Sequence, residues 1–252
     1  MTRRDLADWQ LPSGVDRGLW DYLNDAQLAN GYDESLRGSL LFQTDLRFAE
    51  EHCSQPGSLL DLGCGTGRAL VHFASKGHHA VGVDLSREML KQVGEKNPSI
   101  DRVHLNITDL SAFCDASFDY VRCLFSTLGM VRGFENREQV CREVCRVLKP
   151  GGKLILHVHN RWHNLRDRQG RRWLLRNFWE SIRGRQERGD YRMPPHQGLG
   201  EITLHLFTKR EVRRLLSSAG LRVTHVRPLS LSGDGFLRRP WLLGRLRAYG
   251  YL

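Results

Sequence analysis

From residue 58 onward, short apolar runs alternate with segments whose apolar residues recur every three or four positions. "SLLDLG" (58–63) predicts a buried strand, and "GRALVHFASKG" (67–77) a helix closed by Gly77. "HAVGVD" (79–84) predicts a second strand, and "SREMLKQVGEK" (86–96) a second helix capped by Ser86. "RVHLNI" (102–107) and "FDYVRCLF" (118–125) read as the third and fourth strands. In "REQVCREVCRVL" (137–148), Val140, Val144, Val147 and Leu148 keep helical spacing until "KPGG" stops the helix. "KLILHVHN" (153–160) is the fifth strand, and residues 15–52, with Leu36, Leu40, Leu41 and Phe48 set among charges, read as one or two helices before the first. Beyond Asn160 the alternation lapses until "ITLHLF". "TKREVRRLLSSAG" (208–220) then predicts a helix, with Thr208 and Glu211 as a capping box and Gly220 as its stop. "LRVTHV" (221–226) reads as a sixth strand and "AYGYL" (248–252) as a seventh.

Regular alternation of strand and helix implies an α/β fold with a mostly parallel sheet covered on both faces. Ligands of such sheets bind beyond the carboxyl ends of the strands. Here those ends are Asp61–Gly67, Asp84–Ser86, Asn106–Asp109, Phe125–Gly129 and His159–Trp162, which should line one crevice. The first is a glycine loop, Gly63-Cys64-Gly65-Thr66-Gly67, whose third glycine comes one residue earlier than in the dinucleotide fingerprint G-x-G-x-x-G. It also lacks the Lys-Ser/Thr of a phosphate-cradling loop. Asp61 at the strand end would repel a diphosphate, whereas it suits a ligand bearing an ammonium and a sulfonium. Asp84, closing the second strand, can accept hydrogen bonds from both hydroxyls of a ribose.

D-x-G-x-G-x-G after one strand, "GVDLS" after the second, "SFDYV" opening the fourth and "VLKPGGKLIL" leading into the fifth resemble the class I S-adenosylmethionine-dependent methyltransferases. The resemblance covers about residues 57–160, with a looser continuation at 208–228. It implies a single domain over 1–252 with a Rossmann-like, seven-stranded sheet and an Arg/Trp-rich insert (161–200) after strand five; residues 201–252 complete the sheet. It also implies an enzyme with S-adenosylmethionine as cofactor. Gly63, Cys64, Gly65 and Gly67 would let the backbone approach the methionine part, with Asp61 near its amino group. Asp84 would hold the ribose and Leu85 would lie beside the adenine. Asn106 and Ile107 would meet the adenine edge; many relatives carry an Asp there, and Asp109 is the alternative. Leu124 and Phe125 would flank the methyl group.

Methyl transfer is an in-line displacement at a sulfonium carbon. The protein must chiefly align the reactants, and a base is needed only if the nucleophile arrives protonated. His159, at the strand tip, is a candidate base. His157 reads as a satisfied core residue, and His157, His159 and His163 lack the further ligand a zinc site needs. No metal is expected.

Charge separates the two parts of the chain. The net charge is +10, but residues 1–160 carry −3 and residues 161–252 carry +13. The insert holds ten arginines, three tryptophans and four acidic residues over 161–198. Trp173, Leu174, Phe178 and Ile182 recur at helical spacing, which predicts an amphipathic lid helix with its tryptophans against the domain and its arginines in water. A small-molecule acceptor is the leading reading. The alternatives are an RNA or tRNA acceptor held by 161–192, a lipid-like acceptor at a membrane surface, and a protein that binds the cofactor without transferring the methyl group. No DNA-binding motif is present. No apolar run reaches the roughly 18 residues of a membrane span, the N-terminus lacks a signal-peptide stretch, and the six cysteines form no CxxC pair, so a cytoplasmic protein with reduced thiols is expected.

Overall fold

The structure, a computed structural model, describes residues 6–25, 31–34, 38–193 and 201–252; Leu36 and residues 194–200 of the insert lie outside them. Helix α1 (Arg17–Leu23) is capped by Asp16, and α2 (Leu40–His52) by Ser39. The alternating core then runs β1 (Ser58–Leu62), α3 (Arg68–Ser75), β2 (His79–Asp84), α4 (Arg87–Lys96), β3 (Asp101–His104), β4 (Phe118–Cys123), α5 (Thr127–Met130), α6 (Phe134–Val147) and β5 (Leu148–Leu156). The Ser86 hydroxyl accepts the Met89 N–H at the head of α4, as its position predicts.

These five strands form one parallel sheet in the order β3-β2-β1-β4-β5. The order reverses between β1 and β4, which opens a crevice beyond their carboxyl ends. Strands buried on both faces read as continuous apolar runs, and Leu59, Leu60 and Leu62 of β1 are wholly enclosed. "KPGG" does not end a helix before a gap. Leu148 already pairs with Phe118, and 149–152 bulge before Lys153 meets Tyr120.

After β6 (Val158–His159) comes a 3-10 turn (Arg161–Arg166), then α7 (Arg168–Ile182), β7 (Asp190–Met193) and β8 (Ile202–His205), the last two forming an antiparallel hairpin. Helix α8 (Lys209–Ser218) carries the expected Thr208–Glu211 capping box, and Gly220 beyond it has φ +85°. Helix α9 (Gly244–Arg247) and β9 (Gly250–Tyr251) close the chain.

The expected sixth and seventh strands are changed. Residues 221–226 make no ladder, although Leu221, Val223 and Val226 pack on the core. Pairing begins later: Arg227 and Leu252 exchange both backbone hydrogen bonds, and the Leu229 N–H donates to Gly250. β9 in turn lies antiparallel to β6. Pro228, which has no N–H to donate, confines this edge to a few residues. Among the thiols, Cys53, Cys123 and Cys141 are buried as expected, whereas Cys114 is exposed and Cys64 and Cys145 are half-buried. Burial pushes the Cys53, Cys123 and Cys141 thiols up to about 12. No helix among the described residues is long and apolar enough to cross a membrane.

Candidate active site

The glycine loop joins β1 to α3. Gly63, Gly65 and Gly67 all have positive φ, at +68°, +54° and +76°, a region that side chains with a Cβ rarely enter. Two of them are also packed shut. A Cβ on Gly63 would stand 2.5 Å from Thr127 Cγ2, and one on Gly67 would stand 2.7 Å from Val93 Cγ2. Gly65 differs, because its nearest neighbour is the Tyr32 ring at 3.7 Å. That opening is where a ligand can approach the backbone.

The loop amides are largely committed. Gly63 and Cys64 donate to Val83 O at 2.8 and 3.0 Å, and Gly67 donates to Cys64 O at 3.0 Å. Gly65 donates to Asp84 Oδ2 at 2.8 Å. A phosphate cradle needs several free N–H groups aimed at the anion. With four of five amides engaged internally, this loop offers no such nest. That argument excludes a diphosphate more directly than the charge of Asp61 does, because Asp61 is not a bare carboxylate. Its Oδ2 accepts Arg122 Nη2 at 2.7 Å, with both residues buried. Burial raises the Asp61 carboxyl, and Arg122 opposes the rise. The Arg122 guanidinium lies 4.3 Å from the Phe73 ring centroid, and that ring face takes the place of hydrogen-bond partners for Nε and Nη1.

Asp84 ties the site together. One oxygen accepts Gly65 N–H and the other accepts Ser86 N–H, each at 2.8 Å. Burial pushes its carboxyl up to about 6, against the opposing pull of those amides.

One cavity gathers these groups. Asp61, Gly63, Cys64, Gly65, Asp84, Leu85, Asn106, Ile107, Leu124 and Phe125 all line it. Gly67 does not, and its part is to turn the chain into α3 as the N-cap. At the third strand end Asn106 lines the cavity, whereas Asp109 is exposed and caps its own turn by accepting Ser111 N–H at 3.0 Å. Asn106 is anchored at both ends of its amide, donating to Ser13 O and accepting Thr108 N–H.

Beyond β4, Phe125 and Ser126 are consecutive left-handed residues, φ +54° and +60°, a conformation costing about 1–2 kcal/mol each. Three contacts hold them there. Asp45 Oδ2 accepts the Phe125 N–H at 3.4 Å and also bonds His157 Nδ1 at 2.7 Å, while Ser126 Oγ accepts the His159 N–H at 3.3 Å. Thus His157 and Asp45, both fully enclosed, brace the turn at the mouth of the cavity. His157 is satisfied only at Nδ1; Nε2 has no partner among the described residues. His159 does not line the cavity. Its ring stacks against Tyr249 at 4.7 Å, and burial pushes its imidazole down to about 3, so it stays neutral.

The N-terminal segment contributes side chains that strand-end reasoning missed. Val15, Leu19, Tyr22, Tyr32 and Phe42 line the same cavity. The helical turn at 31–34 is latched to the glycine loop through Asp33, which pairs with Lys96, with Arg68 Nε at 3.4 Å and with the Thr66 hydroxyl. Burial raises both tyrosine phenols, and Asp84 adds to the rise. The aromatic spacing of 20–42 was a signal, but nothing in it marked a site without the strand tips it covers.

The insert's arginines do not enter the cavity; none of Arg171, Arg172 and Arg176 lines it. Arg161, Arg132 and Arg137 instead pair with Glu211, Asp190 and Glu187 around buried His205, which bonds Asp190 Oδ1 at 2.8 Å and Glu211 Oε1 at 2.7 Å. Each carboxylate there already has an arginine, so this cluster is a clamp joining the hairpin to the core.

A parallel sheet with this strand order, a glycine loop open at Gly65 and a carboxylate ending β2 together give the fold of the class I S-adenosylmethionine-dependent methyltransferases. Consistent with this, residues 60–156 match the family described as "Methyltransferase domain". The demethylmenaquinone methyltransferase of Lysinibacillus sphaericus (strain C3-41) is 34% identical over 140 residues, 51% of this chain and 57% of that protein. The dTDP-4-amino-2,3,4,6-tetradeoxy-D-glucose N,N-dimethyltransferase of Saccharopolyspora spinosa is 27% identical over 193 residues, 71% of this chain and 76% of that protein. A crystal structure of a SAM-dependent methyltransferase from Methanosarcina mazei superposes with TM-score 0.61 at 28% identity, covering 71% of this chain and 87% of that one. The chain spans about half the length of the first curated relatives it matches.

Proposed function

We propose that this protein transfers the methyl group of S-adenosylmethionine to a small, largely apolar acceptor. The observation that carries the reading is the mixed polarity of the cavity. Asp84 and the open backbone at Gly65 line it together with the apolar side chains Phe42, Phe125, Met130 and Val131. Bound beside Asp84 and Gly65, the cofactor supplies an electrophilic methyl on a sulfonium. Asp84 would hold its ribose hydroxyls and Leu85 its adenine, and Asp61 with Arg122 would orient its amino-acid part. Phe125, fixed in its left-handed turn, would set the line between methyl and acceptor and keep water from it.

Among the described residues, no imidazole lines the cavity. The acceptor atom is therefore expected to be nucleophilic without a histidine base, and the phenols of Tyr22 and Tyr32, hydrogen-bonded to each other, line the same cavity. The relatives named for quinone and amino-sugar substrates act on small acceptors, which supports this class. An RNA acceptor finds no support, because the basic helix lies outside the cavity. The test is to incubate the protein with methyl-labelled S-adenosylmethionine and a cell extract, with and without ribonuclease. Label in a low-mass organic fraction, unaffected by ribonuclease, is expected. Label lost on ribonuclease treatment, or no turnover in any extract, refutes the reading.

A further inference from the structure

Helix α7 carries apolar side chains on both of its sides. Toward the protein, half-buried Trp173 and Leu174 flank the buried Gly170 and Asn177. Asn177, 2% exposed, donates to Glu187 O and Asp190 O and accepts the Gly189 N–H at 2.8 Å. Gly170 sits so close to Asn164 that a Cβ would stand 2.1 Å from its carbonyl oxygen. Its side toward water is apolar. Leu175 is 65% exposed, Phe178 37%, Trp179 56% and Ile182 61%. These four positions recur at helical spacing and form one stripe. An ordinary surface helix turns polar residues to water; here the sequence expectation of tryptophans packed on the domain holds for Trp173 against Tyr191, at 5.3 Å, and fails for Trp179.

The stripe is rimmed with positive charge. Arg168, Arg171, Arg172, Arg176, Arg183 and Arg185 are all exposed. Only Arg176 has a carboxylate within ion-pair distance among the described residues, at Glu180. A second patch repeats the composition. Trp241 is 79% exposed and Leu243 63%, beside Arg238 and Arg239. Arg239 and Leu243 have φ +52° and +50°, so the backbone holds these side chains outward at a conformational cost. Both α7 and α9, which ends this second patch, pack on residues 161–166, the turn that follows β6; contrary to the sequence expectation, no residue of 159–162 lines the cavity.

We propose that this face docks on an anionic lipid bilayer. Aliphatic and indole side chains gain from entering the boundary between headgroups and acyl chains, and tryptophan favours that depth. Each arginine near an anionic surface contributes about 1 kcal/mol, and the +13 carried by residues 161–252 complements such a surface. Nucleic acid fits less well. Bases stack on aromatic rings and phosphates pair with arginines, but exposed Leu175, Ile182 and Leu243 gain nothing from either. The inference stands apart from the proposed acceptor, since docking can be measured without turnover.

The test is flotation of the purified protein with vesicles of phosphatidylcholine alone and of three parts phosphatidylcholine to one part phosphatidylglycerol. Wild type is expected to float with the anionic vesicles at least tenfold more strongly than with neutral ones, and to release as salt rises from about 0.05 to about 0.5 M. Trp179→Glu with Ile182→Glu should weaken flotation at least tenfold, and Arg171→Gln with Arg172→Gln several-fold. Cofactor affinity by calorimetry should be unchanged in both variants, which shows that they are folded. The proposal falls if wild type does not float, if it floats equally with neutral vesicles, or if the Trp179→Glu, Ile182→Glu variant floats like wild type. It also falls if that variant instead abolishes a wild-type dimer in lipid-free sedimentation, or binding to single-stranded RNA in the absence of vesicle binding.

Discussion

In α4, Met89, Leu90 and Val93 are buried while Arg87, Glu88 and Lys91 face water; in α7, Asn177 is buried while Trp179 and Ile182 face water. The two helices, of 10 residues in α4 and 15 in α7, carry three and six large apolar side chains respectively. They differ in what positions them. Apolar burial seats α4 against the sheet, at a gain of about 1.5–3 kcal/mol for each large side chain enclosed. Hydrogen bonds from the Asn177 amide, a glycine contact and the half-buried Trp173 and Leu174 seat α7. A helix held in part by polar groups on its inner side leaves its other apolar residues free for another purpose. The region after Asn160 lends Phe207, Leu215 and Tyr251 to the core around the sheet and Leu229 and Leu252 to a second cluster, yet leaves the apolar stripe of α7 exposed.

The sharpest way to break that contrast is in the core. Arg122→Met leaves Asp61 buried without its partner and is expected to cost about 3–5 kcal/mol by chemical denaturation. Arg172→Gln on α7 should stay within about 0.5 kcal/mol of wild type. Gly67→Ala comes next, because it places a Cβ against Val93 and in a left-handed backbone. A loss of at least about 2 kcal/mol is expected by thermal unfolding.

Asp84→Ala is expected to weaken S-adenosylmethionine binding at least tenfold, by calorimetry, through loss of the ribose contact. The wild-type site should also respond to acid. Because the Asp84 carboxyl titrates near 6, the ionised acceptor is present above that pH. Affinity should therefore fall as pH drops through about 6, and Asp84→Asn should flatten the dependence. A second pH dependence concerns His159. Its folded imidazole titrates near 3, below the ordinary value of about 6.5, so the unfolded chain binds the extra proton between the two. Stability is present above pH 6.5 and is lost as pH falls toward 3; His159→Gln should make that acid limb shallower in denaturation curves taken across the range.

What could be read from residues alone follows the same division. The five strands and the caps at Ser86 and Thr208 were legible because local chemistry decides them: continuous apolar runs for β1 and β2, a hydroxyl before a helical period for α4 and α8. The cavity residues at the strand ends were legible for the same reason, since topology puts those ends together. Tyr22, Tyr32 and Phe42 were not, because tertiary folding alone brings the N-terminal segment over the glycine loop. Residues 221–226 misled through a real signal. Leu221, Val223 and Val226 are apolar and pack inward, but an apolar run reports which side chains are buried and says nothing of whether the backbone finds a ladder. The exposed face of α7 was hidden by the opposite problem. Its period is sound, and only the position of Asn177 shows which side turns inward.

The Asp33 latch has a kinetic consequence. A nucleoside passing Tyr32 would have to part that carboxylate from Lys96, Arg68 and Thr66, so exchange of spent cofactor is expected to wait on rupture of ion pairs. Added salt should therefore shorten its residence time, and turnover measured at low ionic strength should report how fast the door opens.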